Sequence, residues 1–193
     1  ARMYMRMKSE NKLMKVSIRT VKHIIPWMVL LAVFVLMVGM FAMYGSHNLN
    51  ADDSSEMVLA AQLNKEGKFL SENWLYSTEL RVISPVPLYQ AGLMMFPDNW
   101  HAARTFAQAI IMLGVAASAL YFASVLGFGC HAPLLAAILL MPFSFEYLYI
   151  VNLGGYYAVH LMLSLVILGL VLRSEKNTEH VKTGLVILAL LGF

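Results

Sequence analysis

Long apolar runs separated by short polar segments dominate this chain. The first run, 24–44, has no charged side chain and is long enough to cross a hydrocarbon core of about 30 Å as one helix. Further runs cover 102–126, 132–150 and 156–172, and a last, truncated run covers 183–193. The pattern predicts an all-α, polytopic transmembrane helix bundle with a large loop, 45–100, after the first span.

The composition places the chain among membrane proteins. Hydrophobic residues make up 60% of the sequence and charged residues 13%, whereas soluble domains have about 45–50% and about 25%. A single soluble core of this length cannot hide so much apolar surface, so we expect an integral membrane protein. Because the chain begins with Ala1 and stops inside an apolar run, we also expect a fragment of a longer protein.

Positive charges before the first span predict its orientation. They are Arg2, Arg6, Lys8, Lys12, Lys15, Arg19 and Lys22. Cytoplasmic segments carry an excess of Lys and Arg, so we expect residues 1–23 to form a basic cytoplasmic arm, disordered and held near anionic lipid head groups. Residues 24–193 are then the transmembrane domain, with 45–100 on the extracytoplasmic side. The net charge of +3 is a topology signal that needs no nucleic-acid partner.

The 45–100 loop carries signals for two helices at the membrane surface. Asp53 and Glu56 have the spacing of a capping box, which predicts that a helix begins at Asp53. Gly67 is a suitable terminator for that helix. The apolar stretch 88–96 is too short to span and follows two prolines, so it predicts a second interfacial or re-entrant helix.

Charged residues at the outer ends of the first two spans are candidates for chemistry. Asp52 and Asp53 are either functional carboxylates or a solvated cap of the surface helix. Arg104 either grips a lipid-linked phosphate in a fork geometry or reaches to the interface as a snorkelling side chain. His101 lies beside it and is a further phosphate-binding candidate.

Glu146 is an acid inside the third apolar run. A charge at membrane depth costs about 2.5–3.5 kcal/mol on insertion scales, so we expect this carboxyl to be protonated, paired or exposed to a water-filled cavity. It is either a functional residue or a polar cross-link between helices. Tyr156, after the next turn, is either a substrate-binding residue or an interfacial anchor, and His160 faces either a cavity or a neighbouring helix.

Several kinds of site are missing from the sequence. Cys130 is the only cysteine, so we expect neither a disulfide nor a paired-cysteine metal site. No glycine-rich phosphate loop, His-Glu-x-x-His helix or Gly-x-Ser-x-Gly elbow occurs. The candidates for chemistry are therefore the polar residues near the outer ends of the spans.

An acidic pair after the first span, then a surface helix, then a basic residue at the next span resembles the arrangement in GT-C membrane glycosyltransferases. The closest likeness is to the branch of protein mannosyltransferases and lipid A aminoarabinose transferases. This likeness covers 26–172 by topology and 52–69 by motif. The matching positions are Asp52, Asp53, Ala60, Leu63, Gly67 and Phe69. The chain departs from the pattern at Glu56, where an aromatic residue is usual, and at Lys68, where an acidic one is usual.

The resemblance implies transfer of a sugar from a polyprenyl-phosphate donor to an acceptor at the extracytoplasmic face, with inversion. Asp52 would be the catalytic base, and Asp53 would orient the acceptor or bind a metal. A divalent ion, Mg or Mn, is a candidate cofactor, with Asp53 and Glu146 as candidate ligands. The implied substrate-binding residues are Arg104, Glu146, His101 and Tyr156. The implied partners are membrane lipid, the polyprenyl-phosphate donor and an acceptor that the resemblance does not identify. The implied location is a bacterial plasma membrane.

Two other classes of membrane protein would use the same residues in different ways. In a multi-pass transporter or lipid-handling protein, Glu146, Arg104 and His160 would form a relay within the membrane, and the Asp pair would only cap a helix. In a non-catalytic membrane scaffold, none of them reacts. The enzyme needs Asp52 and Arg104 at one cavity on the outer surface, whereas the transporter needs polar groups near the midplane. Geometry therefore separates these classes.

Overall fold

A computed structural model of the protein describes residues 2–45, 51–76, 84–153 and 156–176. Within these ranges only the backbone is described for 2–20, 52, 53, 150, 153, 156, 175 and 176. The described chain is all-helical. Its helices are α1 (Arg2–Tyr44), α2 (Ala51–Glu66), α3 (Val86–Met95), α4 (Trp100–Leu126), α5 (Ala132–Leu140), α6 (Phe145–Tyr147) and α7 (Tyr156–Lys176). A 3-10 turn, Gly129–His131, precedes α5, and a π-helical segment, Leu148–Leu153, follows α6.

Three described helices are long and apolar enough to cross a membrane. They are Val21–Tyr44, Trp100–Leu126 and Tyr157–Ser174. They coincide with the first, second and fourth apolar runs, which are thereby confirmed as helices of spanning length and composition. The truncated run 183–193 lies outside the described residues. This set of helices is compatible with an integral membrane protein.

α1 continues from the basic arm into the first candidate span without interruption. Residues 2–23 contain no glycine or proline and are rich in Met, Lys and Arg, which are good helix formers. Pro26 is accommodated inside the helix. The disorder expected for the basic arm is therefore wrong.

The third apolar run is not one helix. α5 has 9 residues, and Met141 after it is extended, with φ −77° and ψ 138°. A residue before proline is restricted to this region, because the ring of Pro142 clashes with a helical neighbour. Ser144 then caps α6, its hydroxyl accepting a hydrogen bond from Tyr147 N at 3.1 Å. The prediction of a continuous span over 132–150 is wrong, since Pro142 ends the helix midway.

α2 and α3 are the two short helices predicted in the 45–100 loop. α2 starts earlier than expected, at Ala51, and stops beside Gly67, whose φ is +63°. A residue without a Cβ adopts this left-handed conformation easily, so Gly67 ends α2 as predicted. α3 begins at Val86, with Pro85 at the N-cap and Pro87 in the first turn. Proline fits these positions because the N–H groups of a first helical turn lack helical partners.

Buried apolar side chains form two clusters. The bundle core joins α1, α4, α5 and α7, and its buried members are Leu30, Met37, Ile111, Met112, Val115, Ala116, Ala119, Ala136, Ala137, Leu140, Ala158 and Leu165. The α2–α3 cluster joins those helices to the start of α4 through Met57, Leu59, Ala60, Leu63, Val86, Tyr89, Leu93, Ala103 and Ala107. The short helices are therefore packed onto one end of α4.

Contacts at two glycines give the relative direction of α4 and α7. A Cβ on Gly114 of α4 would meet Met162 of α7, and a Cβ on Gly169 of α7 would meet Tyr121 of α4. Both contacts advance in the same direction along the two helices, so α4 and α7 run parallel. The chain must return between them, and α5 with the segment that follows it makes that return.

Candidate functional site

The acidic pair lies in the first turn of α2. Asp52 and Asp53 follow Ala51, the first residue of this helix, and their side chains lie outside the described residues. The prediction that Asp53 caps the helix is wrong, because Asp53 is already inside it. Carboxylates in a first turn interact favourably with the positive end of the helix dipole, which is consistent with an earlier start.

Glu56, which the sequence assigns to a capping box, is a further candidate for a functional carboxylate. It is half-buried, and its Oε2 is fully enclosed. Helical spacing puts it on the same side of α2 as Ala60 and Leu63, which are buried in the α2–α3 cluster. Positions 52 and 53 precede Glu56 and Met57 by one helical turn. Glu56 is thus an acidic side chain near the start of α2, on the packed face of this helix.

Arg104 is buried near the start of α4 and holds the end of α1. Its Nη1 donates a hydrogen bond to Gly45 O at 3.1 Å, and the guanidinium carbon lies 5.3 Å from the centre of the Phe41 ring. A cation at a helix C-terminus is favoured by the dipole, and one over an aromatic face by the ring quadrupole. Arg104 is 3% exposed, which argues against the alternative of a snorkelling side chain. Phosphate binding by Arg104 stays a prediction.

His101 contacts the same turn of α1. Its Nε2 donates to Ala42 O at 2.6 Å, in the tautomer that carries the proton there. His101 and Arg104 are one turn apart on α4, so one face of this helix serves two carbonyls at the end of α1. The structure brings these predicted residues together, and it places both against backbone.

Gln108 and Asn152 form a buried polar contact that sequence reasoning missed. Gln108 Nε2 donates to Asn152 O at 2.6 Å and to Val151 O at 3.3 Å. Asn152 Nδ2 donates to Leu140 O at 3.0 Å, at the end of α5. Carbonyls freed by a helix break need such partners in an apolar environment. The contact therefore fixes the broken third run to α4.

A sequence signal for Gln108 was present. With His101 and Arg104 it forms a polar line at spacings of three and four residues on a helix that is mostly apolar. We refer to these residues together with Asn152 as the polar line. Each side chain of the line donates to backbone carbonyls where a neighbouring helix ends or breaks.

The other predicted residues lie apart from this arrangement. Glu146 is exposed at the start of α6, so the prediction that it lies inside a spanning helix is wrong. Tyr156 is the first residue of α7, and its side chain lies outside the described residues. His160 is exposed, with its ring 5.7 Å from that of Tyr157. Neither Glu146 nor His160 is buried in the bundle core.

The described side chains do not assemble a metal centre. Among them, no group of three or more His, Cys, Asp or Glu could hold a metal ion. Asp53, one of the two proposed ligands, lies outside that set, so a Mg or Mn site stays a prediction.

Comparisons of the chain with protein families, with curated proteins and with solved structures find no match.

Proposed function

We propose that this protein is a GT-C-like membrane glycosyltransferase. It moves a sugar from a polyprenyl-phosphate donor to an acceptor at the extracytoplasmic face, with inversion at the anomeric carbon. The helices form a polytopic bundle with a cytoplasmic N-terminus, and α2 and α3 lie on the outer side. The concentration of Lys and Arg in residues 2–22 supports this orientation.

The joint between α1, α2 and α4 is the observation that carries the proposal. Arg104 of α4 holds Gly45 at the end of α1. α2 follows after a short connection, and its Met57 lies in the same cluster as Ala103, the neighbour of Arg104. An acidic helix start and a buried guanidinium are thus on adjacent elements at one end of α4, as a base and a phosphate-binding cation require.

The proposed reaction is a direct displacement. Asp52 takes the proton of the acceptor hydroxyl or amine, and the acceptor atom forms a bond to the anomeric carbon. The bond from that carbon to the phosphate oxygen breaks, and polyprenyl phosphate leaves. A phosphate leaving group needs stabilisation by positive charge more than it needs a proton, and Arg104 would supply that charge. Asp53 would orient the acceptor or bind a divalent ion.

The transporter alternative has less support from the positions of its residues. A relay through the membrane needs ionisable side chains in the interior near the midplane. Glu146 and His160 are exposed, and Arg104 is within the first turns of α4. The enzyme proposal uses the end of α4 where the buried charged residue lies.

Sugar transfer in membranes tests the proposal. Membranes containing the full gene product are supplied with radiolabelled polyprenyl-phosphate sugars, and incorporation into lipid or protein is measured. Asp52→Asn and Asp53→Asn remove one carboxylate each. Asp98→Asn is the matched control, because Asp98 is an exposed aspartate in the turn before α4.

Loss of a base should lower transfer by about 10²-fold or more, with unchanged protein level and thermal stability. We expect Asp52→Asn to have this effect and Asp98→Asn to retain full transfer. Equal transfer by Asp52→Asn and Asp98→Asn would remove Asp52 as the base. No transfer by the unmodified protein from any donor would contradict the glycosyltransferase itself.

A further inference from the structure

The segment after α2 is folded with a polar group inside and apolar groups outside. We name residues 67–76 the Ser71 loop. Ser71 is 4% exposed, whereas Phe69, Leu70 and Leu75 are 89%, 71% and 97% exposed. Water disfavours this arrangement, because exposed apolar surface is costly and clusters of it mark contact with another apolar phase.

Hydrogen bonds hold the loop in this inverted form. Glu66 Oε1 accepts from Gln62 Nε2 at 2.7 Å and from Ser71 Oγ at 2.9 Å. Ser71 N donates to the Tyr76 hydroxyl at 2.8 Å, and Asn73 N donates to Ser71 Oγ at 3.2 Å. The loop therefore closes around Ser71, and Phe69, Leu70 and Leu75 are directed outward.

The position of the loop along α4 indicates what covers it. Trp74 packs against the α2–α3 cluster, which includes Ala103 and Ala107 in the first two turns of α4. The 27 residues of α4 are about 40 Å long at 1.5 Å per residue, about 10 Å longer than a hydrocarbon core. The excess length allows the first turns of α4 to reach the head-group region, and the Ser71 loop is attached, through Trp74, to the cluster that contains those turns.

Charges around the loop are balanced. Lys68 and Glu72 form an exposed ion pair at 3.3 Å, and Lys65 stands next to Glu66. A surface that binds anionic lipid carries a cluster of unbalanced basic residues. The contact made by this loop should therefore be apolar, with little dependence on lipid charge.

We propose that the Ser71 loop is a membrane-inserting foot. Phe69, Leu70 and Leu75 enter the boundary between head groups and acyl chains of the bilayer that holds α4, about 5–10 Å deep. The foot fixes the height of α2 over the membrane. This inference needs α4 to span the bilayer and does not depend on the proposed sugar transfer.

Spin-label accessibility measures the depth of the loop directly. In a Cys130→Ala background, single labels are attached at Phe69→Cys and Leu75→Cys in phosphatidylcholine nanodiscs. Glu72→Cys, in the same loop, is the water reference. Leu113→Cys, exposed in the middle of α4, is the hydrocarbon reference. Collision with apolar oxygen and with a water-soluble nickel chelate is compared at each site.

The labels at Phe69 and Leu75 should have an oxygen-to-nickel ratio several-fold above that at Glu72 and below that at Leu113. A ratio equal to that at Glu72 would overturn the proposal. Protection from both reagents would also overturn it, because another protein segment would then cover the loop. A water-like ratio at Leu113 would show that α4 does not span the bilayer, and it would contradict the proposed insertion of the Ser71 loop as well.

Two further measurements test the cause of insertion. Adding phosphatidylglycerol should leave the depth unchanged, and insertion that occurs only with this anionic lipid would contradict an apolar contact. Ser71→Ala removes the hydroxyl that bridges Glu66 and Asn73 N, so the label at Phe69 should become more mobile and lose its oxygen preference. Unchanged depth in Ser71→Ala would show that the hydrogen bonds do not present the foot.

Discussion

The bundle core and the α2–α3 cluster are packed by different means. In the bundle core, buried alanines such as Ala119 and Ala136 let helices approach, and the flexible end of Met162 fills the space at Gly114. In the α2–α3 cluster two backbones meet, because a Cβ on Gly92 would collide with the carbonyl oxygen of Ala103. Of these two contacts, the one with less freedom to adjust is therefore between the short helix α3 and the start of α4, and not between the long helices α4 and α7.

Polar side chains also have different tasks in the two regions. In the bundle, Gln108 and Asn152 donate to carbonyls at the break after α5. Next to the α2–α3 cluster, Glu66 and Ser71 fold a loop in which Phe69, Leu70 and Leu75 point away from the protein. Backbone groups freed inside an apolar region must find protein partners, whereas a loop at the surface can also use water. Polar contacts in the bundle should therefore be the less replaceable ones.

The largest expected effect comes from adding one methyl group at Gly92. Gly92→Ala should lower the free energy of unfolding by about 1–3 kcal/mol, because the Ala103 carbonyl belongs to the backbone and cannot rotate away. Gly114→Ala should cost clearly less, since Met162 can move its methyl end. Unfolding in mixed detergent micelles measures both variants. Equal losses would break the distinction between the two kinds of packing.

A control for helix propensity is available in α1. A Cβ on Gly39 would meet nothing within 4 Å, so Gly39→Ala should stabilise the helix slightly or leave it unchanged. Destabilisation by Gly39→Ala would indicate that contacts outside the chain, and not packing within it, dominate these measurements.

The next effect compares one amide in each region. Gln108→Leu removes the donor to two carbonyls in the bundle and should cost about 1–2 kcal/mol. Asn64→Leu removes the bond from Asn64 Nδ2 to Gln90 O between α2 and α3. Asn64 is half-buried, so water can replace the donor and the loss should be about 0.5 kcal/mol. The same unfolding measurement applies, and a larger loss in Asn64→Leu would reverse the ranking.

Apolar run length was sufficient to predict the long helices and insufficient to predict where one of them breaks. The runs containing α1, α4 and α7 are free of proline except for Pro26, and each forms one helix. The run 132–150 has the same average character, but Pro142 forces Met141 out of the helical region. A rule based on hydropathy alone passes over this local steric effect, although the proline is visible in the sequence.

The sequence indicated candidate functional residues more readily than the groups to which they are hydrogen-bonded. The positions of Arg104 and His101 near the N-terminal end of α4 follow from the sequence, but their acceptors are carbonyls of Gly45 and Ala42. A backbone acceptor leaves no trace in side-chain identity, because every residue has one. Gln108 was missed for the same reason, and only its spacing from Arg104 along α4 could have revealed it.

The smallest expected effect is a pH dependence confined to the Ser71 loop. Hydrogen bonds from Gln62 first, then from Ser71 and Asn73, and the nearby charge of Lys68 lower the pKa of Glu66. A lowered pKa in the folded state means that the ionised carboxylate stabilises the loop. This stabilisation is complete above the ordinary glutamate pKa of about 4.3 and is lost as the pH falls through the lowered value.

A spin label at Phe69→Cys should therefore become more mobile in acid, while one at Leu113→Cys in α4 should not change. Glu66→Gln should remove the pH dependence and Glu72→Gln should retain it, since Glu72 is exposed and paired only with Lys68 among the bonds described for it. A transition of equal size at both labels would mean that acid loosens the bundle core as well, and the two regions would then respond as one.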